Sequence, residues 1–237
     1  LTLTDKAYTA TLRLGVATIT DDAEGEVTAR PGAAAVSEAE VRSRLPEFRG
    51  DLKQVPSAVS AIKVAGVRSY ARVRAGEAVA LKPRPVHVSR FACTAVRPGE
   101  ADGVPVLDCD VEVVCSSGTY VRALARDLGA VLGTGGHLTA LRRTRVGPFT
   151  LAEAQTLEQA AADLALVDLA DVARRCFAVR MLTEDQAAHV RHGRALTDLD
   201  VPADPTALLS PVGEFLALYR PYDVGSRPVA VFAPAHG

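Results

Sequence analysis

The chain has 237 residues, 48% of them hydrophobic and 23% charged. That is enough apolar material for one main core and a smaller second one, and too apolar a composition for a disordered chain. No stretch approaches the roughly 18 unbroken apolar residues of a membrane span, so the sequence reads as soluble and globular. The formal net charge of −1 conceals an uneven distribution: residues 42–97 carry +9, whereas residues 1–41 carry −4, residues 98–150 carry −1 and residues 151–237 carry −5. Dispersed surface charge and a phosphate-tracking face both fit this pattern.

Cys93, Cys109, Cys115 and Cys176 form no C-x-x-C pair and have no histidine at ligand spacing. Neither a zinc site nor a disulfide framework is indicated, and a reducing cytoplasm is the expected location. There is no signal-peptide pattern. The chain opens on Leu1, not Met, directly before a strand pattern, and an N-terminal segment is expected to precede it.

From Tyr8 the sequence alternates Tyr8, Ala10, Leu12 and Leu14 against Thr9, Thr11 and Arg13, the period of a half-buried strand that stops at Gly15. An acidic turn at Asp21-Asp22 follows. Ser37 with Glu40 predicts a helix N-terminus, Val41, Leu45 and Phe48 recur at helical spacing, and Pro46 bends or shortens that helix. A short helix is expected over residues 67–75, with Arg68 and Arg72 one turn apart. Strands are expected over residues 84–91 and 104–115, the second alternating Cys109, Val111, Val113 and Cys115 with Asp108, Asp110 and Glu112. Ser116-Ser117-Gly118-Thr119 then leads to Val121, Leu124, Leu128 and Val131, a strand, tight turn and helix. A Gly135-Gly136 turn enters residues 137–141 and the basic run Arg142-Arg143-Thr144-Arg145. Residues 151–175 are Ala-rich and helical in pattern, with a possible capping box at Thr156 and Gln159, and read as a connector packed on the main domain. Beyond a short helix from Thr183 to Gly193, strand patterns at 206–209, 214–219 and 228–233 suggest a small β module. Strands mixed with helices without regular βαβ alternation make the class α+β.

The strand-turn-helix carries the most chemistry. Arg122 falls in the first turn of its helix, where the dipole disfavours a cation by some tenths of a kcal/mol unless an anion is near. A carboxylate or phosphate is therefore expected there, although a surface arginine reaching to solvent or to a nearby acid also fits. Tyr120 suits a polar heterocycle or a core edge. Tyr8 belongs with the core-facing set, Leu141 reads as ordinary core, and Lys63 as a surface lysine. Arg142 and Arg143 lack carboxylates nearby in sequence and look like phosphate contacts. No HExxH, G-x-S-x-G, Walker or dinucleotide loop is present in the right context.

Four segments together resemble the TruB-type pseudouridine synthases, which isomerise a uridine in the T-arm of tRNA. They are Asp5-Lys6-Ala7-Tyr8 with Leu14-Gly15, Thr18, Thr20, Asp22 and Gly25; Gln54-Val55-Pro56-Ser57 through Lys63 to Gly66, Tyr70, Ala71 and Arg72; Cys115 through Arg122 to Asp127-Leu128-Gly129; and Gly136-His137 to Leu141-Arg142-Arg143. The resemblance covers most of residues 5–150 and is weak in the tail.

It implies a mixed, largely antiparallel sheet with flanking helices over residues 1–179, followed by a PUA-like, mainly β RNA-binding domain over residues 180–237. It implies isomerisation of uridine-55 by base flipping. Tyr8 would stack on the extruded base and help move a proton, Tyr120 line the pocket, Leu141 form an apolar wall, and Lys63, Arg68, Arg72, Arg142 and Arg143 meet the tRNA. The family's catalytic aspartate lies in a G-x-L-D-P segment upstream of the tyrosine strand. No such segment occurs in these residues, and Leu199-Asp200-Val201-Pro202 lacks the glycine and lies in the wrong place. By resemblance Arg122 would pair with that aspartate and keep it ionised. The implied enzyme needs no metal, nucleotide or redox cofactor and no membrane, and acts as a monomer on tRNA. The rival reading is a catalytically inactive module that binds or remodels tRNA.

Overall fold

The computed structural model describes residues 4–57 and 81–233, and within the intervening segment the paired backbone of residues 63–64 and 67–68. The chain divides into two compact units, Leu1–Leu151 and Ala152–Gly237.

In the first unit, β1 (Lys6–Leu14), β2 (Ala17–Thr18) and β3 (Val27–Ala29) precede α1 (Glu38–Arg44), β4 (Gly50–Gln54) and a hairpin of β5 (Lys63–Val64) and β6 (Val67–Arg68). Then come β7 (Arg84–Ala101), β8 (Val104–Cys115), α2 (Val121–Val131), β9 (Gly136–Val146) and β10 (Phe149–Thr150). Six strands form one sheet in the order β10-β9-β1-β8-β7-β4, and every neighbouring pair is antiparallel.

The alternation in β1 and β8 builds this sheet's two faces. Ala10, Leu12 and Leu14 pair with Val111, Cys109 and Leu107, and all six are buried in one cluster with Phe91, Val121, Leu124 and Leu128. The intervening residues line the opposite face in a ladder of ion pairs: Arg13 with Asp108 at 2.7 Å, Arg97 with Asp110, and Arg90 with Glu112 at 2.8 Å. At this exposure each such pair contributes about 0–1 kcal/mol, so the apolar face supplies most of the stabilisation.

Helix α1 begins where Ser37 accepts a hydrogen bond from the Glu40 N–H, and Pro46 ends it as anticipated: residues Leu45–Phe48 tighten into a 3-10 turn. Helix α2 lies so close to β9 that a Cβ on Gly129 would stand 2.2 Å from the Gly135 carbonyl carbon. Gly129→Ala must therefore push helix from strand at backbone atoms that cannot rotate away. A loss of about 2–3 kcal/mol is expected, read as a lower denaturant midpoint; an unchanged midpoint would contradict this packing.

The helix expected over residues 67–75 is corrected at its start, because Val67–Arg68 is a strand paired with Lys63–Val64. Two β-branched valines separated by the two residues Ala65-Gly66 favour a hairpin over a helix. The rest of that expected helix, including Arg72, lies outside the described residues.

The second unit contains α3 (Leu157–Ala162), α4 (Leu169–Cys176), β11 (Ala178–Met181), α5 (Glu184–Arg191), β12 (Thr206–Leu209), β13 (Phe215–Pro221) and β14 (Ser226–Val231). Its sheet runs β11-β12-β13-β14, with β11 parallel to β12 and the rest antiparallel. Capping boxes at Thr156/Gln159 and Thr183/Gln186 start α3 and α5. Within this unit, Ala170 and Ala173 of α4 pack against Ala207, Leu209 and Phe215. Strand β11 escaped sequence reading because its four residues, of which Arg180 and Met181 are exposed, show no buried alternation.

Candidate active site

Arg122 is the second residue of α2, and a turn 100 positions earlier in the chain supplies its anion. The guanidinium donates from Nη1 to the Asp22 carboxylate at 2.7 Å and to the Thr20 carbonyl at 3.3 Å. The same carboxylate accepts from the Thr20 hydroxyl and from the Glu24 N–H. Burial pushes the Asp22 carboxyl up, but the hydrogen bonds from Thr20 and Arg122 and the charge of Arg122 outweigh it and hold the carboxyl below its ordinary value. The sequence argument placed an anion here and, through the resemblance, assigned it to a residue outside the chain. The structure places Asp22 beside Arg122, and the residue that the resemblance pairs with Arg122 is not among these 237.

Asp21 does the same one turn further along. It is buried, takes up a left-handed φ of 59°, and accepts from Arg126 at 3.2 Å. Burial pushes its carboxyl up, against the opposing charges of Arg126 and Arg122. Two consecutive aspartates thus grip two arginines spaced i and i+4 on α2. The Asp21 carbonyl also accepts from the Leu138 N–H at 3.0 Å, which docks the turn on β9.

Tyr8 stands on the apolar face of β1, packed against the cluster that includes Val121 at the start of α2. Burial and the neighbouring Cys115 thiol push its phenol up, opposed by the Arg143 guanidinium on the neighbouring strand. The phenol therefore keeps its proton throughout the neutral range.

Strand β9 is irregular, and that irregularity shapes the site. Its register against β1 steps from Leu12↔Leu138 to Thr11↔Ala140, so one residue is extra on β9. Leu138 and Leu141, which a regular strand would turn to opposite faces, are brought to the same one. Both then line an open groove of about 250 Å³ with Asp22 and Arg122. Leu141 is 49% exposed, so its reading as ordinary core is corrected: the bulge carries it past the edge of the core and leaves it as a groove wall. Arg142 and Arg143 are also separated. Arg143 pairs with Tyr8, whereas Arg142 pairs with Thr9 and turns to the other face.

Tyr120 caps α2 from an extended conformation, with no side-chain cap of its own. Its backbone N–H donates to the Gln54 side chain at 2.8 Å, and its carbonyl accepts from the Gln54 amide at 3.1 Å. Lys63 and Arg68 belong to the β5–β6 hairpin, whose side chains lie outside the described residues, as does all of Arg72. Sequence reasoning missed the roles of Asp21, Asp22, Gln54 and Arg126. Asp21-Asp22 was read only as a turn, yet two adjacent carboxylates within an otherwise short loop are a signal that cations are to be met.

Among the described residues no group of three or more His, Cys, Asp or Glu could hold a metal ion, and no helix is long and apolar enough to cross a membrane.

Comparison with known proteins bears on this arrangement. Residues 1–121 match the profile of the TruB family pseudouridylate synthase N-terminal domain. Residues 122–178 match the tRNA pseudouridylate synthase B C-terminal domain, and residues 177–233 the tRNA pseudouridine synthase II C-terminal domain. The chain belongs to the TruB family. Its TruB relatives include the protein named tRNA pseudouridine synthase B of Arthrobacter sp. (strain FB24), 52% identical over 98% of this chain and 78% of that protein. The same name is carried by a relative in Cutibacterium acnes, 54% identical over 94% of this chain and 75% of the relative. The chain thus spans about three quarters of the length of these TruB proteins. Among solved structures, a Cbf5-Nop10-Gar1 complex shares the fold, with a TM-score of 0.62 at 20% identity over 99% of this chain and 68% of that one. An H/ACA RNP bound to a substrate RNA containing 2'-deoxyuridine aligns with a TM-score of 0.61 at 18% identity, over all of this chain and 68% of that one. These likenesses agree with the α+β reading of a large antiparallel sheet with an added β domain.

Proposed function

We propose that this protein isomerises uridine-55 in the T-arm of tRNA to pseudouridine, as a cytoplasmic monomer that uses no cofactor. The observation that carries the reading is the groove at the start of α2, where Arg122, Asp22 and Leu141 meet on the face that bears Tyr8. It is assembled from the segments of the resemblance, in a chain about half identical to enzymes named tRNA pseudouridine synthase B. That identity favours catalysis over a module that only binds tRNA.

The chemistry asks for three things from these residues. The uridine leaves its stack at a cost of a few kcal/mol and is held by stacking and edge contacts; Tyr8 offers its ring and Leu141 the apolar wall. The glycosidic carbon–nitrogen bond breaks and the ring rejoins the ribose through carbon, so the proton on that carbon must be removed. The protonated Tyr8 phenol, with Arg143 as its cross-strand neighbour, lies in the pathway for proton movement. Arg122, held in place by Asp22, presents positive charge to the carboxylate that the family's chemistry uses, a residue not among these 237. Lys63, Arg68, Arg72, Arg142 and Arg143 contribute phosphate contacts, and residues 180–237 act as an RNA-binding domain attached to a catalytic domain over residues 1–179.

The test is nucleoside analysis of an unmodified tRNA transcript incubated with the intact native protein. Pseudouridine should appear at the expense of uridine, with no change in mass. Tight tRNA binding without pseudouridine would support the binding module instead.

A further inference from the structure

Gln54 is the last residue of β4, the edge strand of the main sheet, and is 4% exposed. A primary amide buried so completely costs about 1–3 kcal/mol unless its hydrogen bonds are made. Its oxygen and its nitrogen each bond to one and the same residue. Oε1 accepts from the Tyr120 N–H at 2.8 Å, and Nε2 donates to the Tyr120 carbonyl at 3.1 Å. The side chain thus stands in for a strand neighbour, pairing with both polar groups of a residue that lies beyond the end of β8. Tyr120 sits at φ −103° and ψ 105°, and it is the last extended residue before α2. Fixing those two angles sets the direction in which the Tyr120 ring leaves the chain and the heading of the turn that carries Arg122.

A second contact follows directly. The Val55 carbonyl accepts from Arg126 at 2.8 Å, and Arg126 also grips Asp21. Residues 54 and 55 are therefore tied to the start of α2 and to Arg126, nearly two turns further along it. The chain that leaves them carries Lys63, Arg68 and Arg72 in sequence.

We infer that Gln54 is a positioning residue for the isomerisation, its amide holding Tyr120 and the first turn of α2 where the everted base must meet them. This rests on the functional reading given above. Misplacement of a reacting partner by about 1 Å can cost on the order of 10²-fold in rate, so a clamp on the backbone at this point acts on the chemical step more than on tRNA affinity.

The experiment uses the intact native protein with two substitutions. Gln54→Met keeps the length and removes donor and acceptor. Gln54→Glu keeps the acceptor for the Tyr120 N–H, but at neutral pH places a carboxylate oxygen against the Tyr120 carbonyl. Three quantities are measured: the thermal midpoint, the tRNA dissociation constant, and the single-turnover rate constant with saturating enzyme at a temperature where circular dichroism shows the variant folded. For Gln54→Met the rate constant should fall by about 10–100-fold while the dissociation constant stays within about threefold. For Gln54→Glu the rate relative to the unsubstituted protein should climb as pH falls, because the protonated acid donates to the Tyr120 carbonyl again.

A purely structural glutamine would lower the midpoint and leave the folded variant's rate unchanged. The inference is overturned by a folded Gln54→Met protein turning over at the unsubstituted rate, by a Gln54→Glu ratio that does not respond to pH, or by failure of both variants to fold. Absence of isomerisation in the unsubstituted protein would instead refute the functional reading, so the two failures are told apart.

Discussion

Arg122→Ala is expected to lower the single-turnover rate by roughly 10²–10³-fold, the size of effect that follows removal of one preorganised charge from a reacting centre. The tRNA should still bind, because on the proposed function phosphate contacts spread over many basic residues set its affinity. The structure gives the physical reason for so selective an effect. Arg122 is held by Asp22 at 2.7 Å and by the Thr20 carbonyl, and its side chain is 26% exposed. Its position is thus fixed before any substrate arrives. Arg122→Lys keeps the charge and loses the planar fork, and should recover only part of the rate. The alanine variant also leaves Asp22 without its cation. A stability loss of about 1–2 kcal/mol is expected, less than the 3–5 of a fully buried pair because both side chains remain partly solvated.

The pH dependence of that pair follows from the lowered Asp22 carboxyl. The folded value lies below the unfolded one, so the contribution is complete above the ordinary carboxylate range near pH 4 and is lost as pH falls through the folded value. Acid inactivation in the range of pH 5–6 would therefore have to come from another group. Retained turnover in Arg122→Ala would remove the electrostatic role altogether.

Tyr8 should separate into two functions. Tyr8→Phe keeps the ring and loses the phenolic proton, with an expected rate loss of about 10²–10⁴-fold, the range of general acid–base contributions. Tyr8→Leu loses the ring as well, and a further 1–3 kcal/mol of base stacking goes with it, about 10–100-fold more. The order of the two variants carries the argument. Burial raises the Tyr8 phenol, so the hydroxyl keeps its proton opposite the basic Arg143 on the neighbouring strand. Equal rates for the two variants would show that the ring contributes nothing beyond the hydroxyl, and an active Tyr8→Phe protein would remove the proton role.

The parts of this structure that local chemistry determines could be read from the residues. Alternation in β1 and β8, the cap at Ser37, the tightening at Pro46, and the turn and stripe that make α2 all depend on residues within a few positions of each other. The site was less legible because it depends on register. Arg122 could be seen to need an anion, but its choice of Asp22 is settled by how the turn after β2 docks on β9. Leu141 reads as core by type and becomes a groove wall through one extra residue in β9. Ordinary strand alternation separates Arg142, opposite Thr9, from Arg143, opposite Tyr8, which the sequence presents as one basic run. Gln54 gives no signal at all on its own, since its two partners are both backbone atoms of Tyr120.

The central claim is chemical, and release of hydrogen from the base tests it most directly. When the uracil rejoins the ribose through its C5 atom, the hydrogen there passes to water. A tRNA transcript tritiated at uridine C5 should therefore release tritium on incubation with the intact native protein. The yield should approach one equivalent per tRNA and disappear when uridine-55 is replaced by cytidine. Binding without release, or release that persists after that replacement, would contradict the account.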